Sequence, residues 1–173
     1  MKDDLSYTRM DRCFYDGVEV LRYKIELPKL PSLNKITEFY RCCADKAAEY
    51  CEGELSELAR SEYISSDMPQ KKFRYRSLVY KLCGRVTYEN DGLLFIYLTA
   101  SLDGGGRERV TSADGHAWDK ADECLLPPDQ AIRRVRPDIK TRRRLRKSDG
   151  IVYLDGVFYS CTKGVLQEIK FKS

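Results

Sequence analysis

The chain has 173 residues, of which 42% are hydrophobic and 34% charged, with a net charge of +4. That is enough for one domain with a substantial core, and too apolar for wholesale disorder. No apolar run approaches the roughly 20 residues a membrane helix needs, and the polar start "MKDDLSYTRMDRCFYDG" lacks the apolar centre of a secretion signal. The expected location is the cytoplasm for the chain as given, and the envelope if an anchor has been trimmed from it.

A Tyr15-Asp16-Gly17 turn leads into "VEVLRYKIELP", where Leu21, Tyr23, Ile25 and Leu27 alternate with Arg22, Lys24 and Glu26, as in a strand with one buried face. The alternation breaks between Val18 and Leu21, and Pro28 and Pro31 end the strand. From Ser32 the period becomes helical. Leu33, Ile36, Tyr40, Cys43, Ala47, Cys51, Leu55 and Leu58 form one stripe, expected to be buried against a sheet. Ser32 or Asn34 is placed to cap the start of this helix, and Gly53 is a weak point where it kinks or ends.

The strand period returns at Phe73, and Asn90-Asp91-Gly92 marks a hairpin, since Asn and Gly tolerate the positive φ of tight turns. Gly104 to Gly106 read as a strand connection with at least one glycine at positive φ. A phosphate cradle would instead open a helix and bring a Lys-Ser/Thr pair. "RERVTSADGHAWD" and "ECLL" continue the sheet, and "PPDQAIRRV" opens a helix with Pro128 in its first turn. The end, "GIVYLDGVFYSCTKGVLQEIKF", reads as short strands turning at Asp155-Gly156 and Lys163-Gly164. The expected fold is α+β in a single domain, residues 1–173. One long helix packs on an antiparallel β-meander sheet, and a basic helical segment precedes the last strands.

Chemistry-bearing residues are sparse. The seven cysteines contain no Cys-x-x-Cys pair, and there is one histidine, so a zinc site would have to be gathered from scattered thiols. Cys43 and Cys51 share a helical face with Ala47 and read as small core residues. No metal and no cofactor are expected. His116 has Asp114, Asp119 and Cys124 within ten residues, from which a Cys-His-Asp relay can be drawn. A histidine beside a tryptophan on a strand is more often structural, with Asp114, His116 and Trp118 on one face and Asp119 on the other. A cysteine-dependent enzyme around His116 is therefore the third reading, and the protein is expected not to be an enzyme.

The sharper feature is "RRVRPDIKTRRRLRK". Its Arg133, Arg134, Arg136, Lys140, Arg142, Arg143, Arg144, Arg146 and Lys147 outweigh the one acid, Asp138, by eight charges, which leaves the rest of the chain at −4. The long helix carries the opposite sign in Asp45, Glu49, Glu52, Glu54, Glu57 and Glu62. The preferred reading is that the arginines bridge to that acidic face or to neighbouring strands. The alternative is an electrostatic nucleic-acid binder that uses residues 133–147 to neutralise phosphates. A third use is docking on an acidic protein or anionic surface.

The order of elements resembles the family of bacterial domains typified by the lysozyme-sensing domain of anti-sigma factor RsiV, whose relatives accompany a peptidoglycan deacetylase. The residues that carry the likeness are the helix start at Asn34 to Thr37, "TYENDGLLFI", "SLDGGG" with "HAWDKADECLLPPDQAI", and "LDGVFYSCTKGVLQEI". It covers about residues 18 to 170. Where that family continues its paired glycines with Ala-His-Gly, this chain has Gly106-Arg107-Glu108, and His116 comes one strand later. The resemblance implies a non-enzymatic domain that binds or senses a protein or glycan ligand.

Overall fold

The computed structural model describes residues 6–66, 75–104, 107–138 and 150–171. Strands β1 (Ser6–Tyr15) and β2 (Val18–Pro28) pair antiparallel around the expected Asp16-Gly17 turn. Leu21, Tyr23, Ile25 and Leu27 are all buried, as their alternation predicts. The break in alternation is a bulge. The pairing slips between Cys13 and Phe14, Val20 is left unopposed, and Val20 and Leu21 are both buried. Hydroxyls from the segment ahead of the next strand serve the carbonyls at the slip. Tyr75 donates to the Val20 carbonyl at 2.9 Å, and Ser77 donates to that of Glu19 at 2.6 Å.

Helices α1 (Asn34–Tyr50) and α2 (Ser56–Ser66) run on as one rod through a π-helical turn, Cys51–Leu55, at the weak point marked by Gly53. Leu33, Ile36, Tyr40, Cys51 and Leu55 are buried as expected, together with Ala44, Ala48 and Ala59. Three members of the predicted stripe are corrected: Cys43 and Ala47 are only half-buried, and Leu58 is 38% exposed. The cause is helical phase. From Tyr40 to Ala48 the buried residues step by four and drift by about 40° per step. The wider π-turn takes back about one residue of phase, so Ala59 arrives where an unbroken α-helix would present Leu58. The cap also differs from expectation. The backbone N–H groups of Lys35 and Ile36 donate to the carboxylate of Glu123, at 2.6 and 3.2 Å, an acid far along the chain that stands at φ 49°.

The remaining strands of the large sheet are β3 (Leu78–Glu89), β4 (Leu93–Gly104), β5 (Arg107–Asp119) and β6 (Cys124–Leu125), in the order β1-β2-β3-β4-β5-β6. The sheet is mixed, which corrects the antiparallel meander: β2 and β3 run parallel, from Leu21 opposite Leu78 to Glu26 opposite Cys83. A hairpin cannot join parallel neighbours, and the long helix is the crossover that does. The Asn90-Asp91-Gly92 turn forms by a different device from the one expected. None of its residues is at positive φ, and the Asn90 side-chain carbonyl accepts from the N–H groups of Gly92 and Leu93 at 3.0 and 2.7 Å. Gly104 ends β4 at φ 100°, as the glycine reading requires, while Gly105 and Gly106 lie outside the described residues.

Helix α3 (Pro128–Val135) precedes a second sheet of β7 (Gly150–Leu154), β8 (Val157–Thr162) and β9 (Val165–Glu168). Its hairpins turn at Asp155-Gly156 and Lys163-Gly164 with both residues at positive φ, the same mirror-image turn as Asp16-Gly17.

The chain forms two compact units, Met1–Lys29 with Thr37–Cys83 and Ala100–Thr111, and Leu30–Ile36 with Gly84–Thr99 and Ser112–Ser173. In the first, α2 lies against β2. In the second, Leu93, Phe95, Ala117, Ile132, Ile151 and Phe158 form the core, flanked by Tyr88 and Tyr153. There β5 and β7 approach backbone to backbone: a Cβ on Gly115 would lie 2.6 Å from the Ile151 carbonyl oxygen, and one on Gly150 would lie 2.6 Å from that of Gly115.

Candidate binding surface

The basic segment lies partly within view. Arg133 and Arg134 occupy the last turn of α3, and Arg136 follows it. Lys140, Arg142, Arg143, Arg144, Arg146 and Lys147 lie outside the described residues. All three described arginines face a carboxylate. Arg133 reaches Asp129 one turn earlier at 4.0 Å, Arg136 forms two hydrogen bonds to Asp138 at 3.0 and 2.8 Å, and Arg134 is in close contact with Asp119. Asp119 is buried and also accepts from the N–H groups of Ala121 and Asp122, at 2.8 and 3.2 Å. The hydrogen bond from Arg134, then those from the backbone, hold its carboxyl below the usual aspartate range.

Of the two expected destinations, Arg134 takes a neighbouring strand, since Asp119 ends β5, and none of the three described arginines pairs with the acidic helix face. Among the described residues, two acids of that face go to β1 instead, where Arg9 lies 3.5 Å from Asp45 and 3.1 Å from Glu52. Glu52 sits in the π-turn and also accepts from the Tyr23 hydroxyl at 2.5 Å. Burial, together with that hydrogen bond to a carboxylate, pushes the Tyr23 phenol well above its ordinary pKa.

His116 lies on β5, with Nε2 3.6 Å from the Asp114 carboxylate and its ring edge-on to Trp118, centroids 6.3 Å apart. Burial works against ionisation of Asp114, but hydrogen bonds from His116 and the Gly115 N–H outweigh it and lower its pKa. Cys124 does not join this pair. It stands opposite Asp119, three positions along β5 from His116, about 10 Å away and on the other face. Cys161, in the second sheet, is buried, and burial with the charge of Asp114 pushes its thiol up to about 12. Such a thiol is protonated at neutral pH and is no nucleophile. Among the described residues, no group of His, Cys, Asp and Glu is arranged to hold a metal ion. No helix among them is long and apolar enough to cross a membrane.

The surface the sequence reading passed over is β1. Charges fall on both faces of "SYTRMDRCFY" and hide its period of two, so the sequence shows only a polar N-terminus. Its Tyr, Thr and Phe content and the Asp-Gly turn after it were the available signals. Arg9 faces the helix, so by alternation Thr8, Met10, Arg12 and Phe14 point to the other side of the sheet. Met10 is 68% and Phe14 62% exposed. Among the described residues β1 pairs with β2 alone, leaving its other edge without a strand partner.

No family model matches the chain, and no curated protein is significantly similar to it. Its fold is similar to the crystal structure of a DUF3298 family protein from Bacteroides fragilis, with a TM-score of 0.54 at 14% identity over 72% of this chain. This chain spans 58% of that protein's length. A DUF3298 family protein from Pseudomonas aeruginosa aligns at 15% identity over 71% of this chain and 53% of its own, with a TM-score of 0.43. At such identities the likeness to the first is one of fold alone.

Proposed function

We propose that the chain is a non-enzymatic binding domain that takes a protein partner along β1. The observation that carries this is a long sheet edge that has no further strand partner among the described residues and presents two large apolar side chains, Met10 and Phe14, to solvent. An added strand takes its affinity from main-chain hydrogen bonds and its specificity from alternate side chains, and β1 offers both. The RsiV-like likeness in the order of elements agrees with a partner-binding role. The arginine pairs weigh against the nucleic-acid reading of residues 133–147. Three of its nine cations already spend their charge on Asp129, Asp119 and Asp138.

Immobilised wild type and a Met10→Lys/Phe14→Ser variant, each challenged with lysozyme, soluble peptidoglycan fragments and duplex DNA, test the reading. Lysozyme should be retained by the wild type and released by the variant. Retention of DNA alone, falling steeply with salt and equal in both proteins, would overturn it in favour of the phosphate-binding alternative.

A further inference from the structure

We infer that the β1 edge accepts a second copy of this chain, the two β1 strands adding antiparallel across a two-fold axis at Met10. This rests on reading β1 as a binding edge and names one occupant for it. A two-fold pairing is isologous, so the strand must be complementary to itself. Adjacent antiparallel strands related by a two-fold axis place one residue opposite its own copy, and each choice of central residue fixes every other pair.

The sequence of β1 discriminates among these choices. Centring on Arg9, Asp11 or Arg12 sets a like charge directly against itself, which destabilises a strand pair. Centring on Thr8 or Cys13 engages only one half of the strand. Centring on Met10 brings Ser6 through Phe14 into register and sets Arg9 against Asp11 of the second copy, twice by symmetry. Those ion pairs fall on the helix side, where Arg9 is already drawn by Asp45 and Glu52 yet stays 46% exposed. On the opposite face Met10 meets Met10, and each Phe14 lies over Ser6 and Thr8 of the other copy.

The edge lacks some of the usual obstacles, although Arg9, Asp11 and Arg12 charge it and the Asp11 carboxylate already accepts from the Arg12 N–H at 2.7 Å. β1 carries no proline and no lysine, and its one irregularity places the extra residue, Val20, on β2, leaving β1 regular along its ten residues. The other edge strands are shorter: β6 has two residues, β9 four and β7 five.

Sedimentation velocity of the full chain across the micromolar range tests the pairing. A monomer–dimer equilibrium is expected for the wild type. Met10→Lys places two ammonium groups at the axis, and Asp11→Arg sets arginine against Arg9. Each should weaken the dimer on the order of tenfold or more, as like charges across an interface do. Val165→Lys, at an exposed apolar position of β9, should leave the dimer intact, and circular dichroism should show all variants folded. A wild type that stays monomeric, or a dimer indifferent to both β1 changes, overturns the second copy as occupant. The binding reading falls separately, if the wild type retains no lysozyme or if that retention does not respond to Met10→Lys/Phe14→Ser.

Discussion

At one end of the large sheet stands β1, ten residues long, paired with β2 alone among the described residues and with its charges spread over both faces. At the other stands β6, two residues long, followed at once by Leu126, whose N–H donates to the Ala117 carbonyl at 2.8 Å, and by Pro127 and Pro128. The turn that leads into β6 is fastened by Asp119, which gathers Ala121, Asp122 and Arg134, and its Glu123 caps the long helix. Shortness and proline are how sheets blunt an edge against unwanted pairing. One end of this sheet is blunted in that way and the other is open among the described residues, which is the physical ground for the proposal that β1 is the binding edge.

The largest expected effect concerns what backs the open end. β1 is held through β2, and β2 is packed by the helix stripe, so Leu55→Ala should cost about 2–5 kcal/mol in urea unfolding. Leu58→Ala, on the far side of the π-turn's change of phase, should cost less, under about 1 kcal/mol, since its side chain is 38% exposed where that of Leu55 is fully buried. Equal losses at the two positions would show that the π-turn does not set the buried face.

Next comes the fastened end. Asp119→Ala removes a buried acceptor from two backbone N–H groups and Arg134, and should cost about 1.5–3 kcal/mol. Asp11→Ala on β1 should change stability by less than about 0.5 kcal/mol. The two ends should also separate with pH. The folded pKa of Asp119 lies below its unfolded value, so its contribution is full above the ordinary aspartate range and is lost as pH falls through the folded value. Urea midpoints from neutral to acid pH should therefore fall more steeply in the wild type than in Asp119→Asn. Parallel acid limbs would show that the Arg134 contact is not what fastens β6.

A smaller effect is expected at the bulge beside β1. Tyr75→Phe deletes the hydroxyl that serves the Val20 carbonyl and, at 3.3 Å, that of Ala59, and should cost about 1 kcal/mol. If unfolding is unchanged, another group meets that carbonyl. Smallest of all, Arg133→Ala and Arg136→Ala remove exposed ion pairs and should shift stability by less than about 0.5 kcal/mol, with no change in DNA retention on a salt gradient. A marked loss of retention would return the basic segment to the centre of the function.

What the sequence determined by itself is everything with a short period or a fixed turn chemistry. β2 showed its buried face through strict alternation, and its bulge through the break in that alternation. The long helix announced most of its stripe, and Gly53 marked a weak point, where a π-turn stands in place of the expected kink or end. Asp16-Gly17, Asp155-Gly156 and Lys163-Gly164 turned as their residue types require. Only the tertiary structure decided the parallel pairing of β2 with β3, the cap from Glu123, and the carboxylates that each described arginine takes. It alone showed that the charged N-terminal stretch is an edge strand. Spacing reports which side of one segment avoids water, because that preference is set within a few residues. Which strand lies alongside, and which acid reaches which arginine, depend on contacts between distant segments that leave no period in the chain.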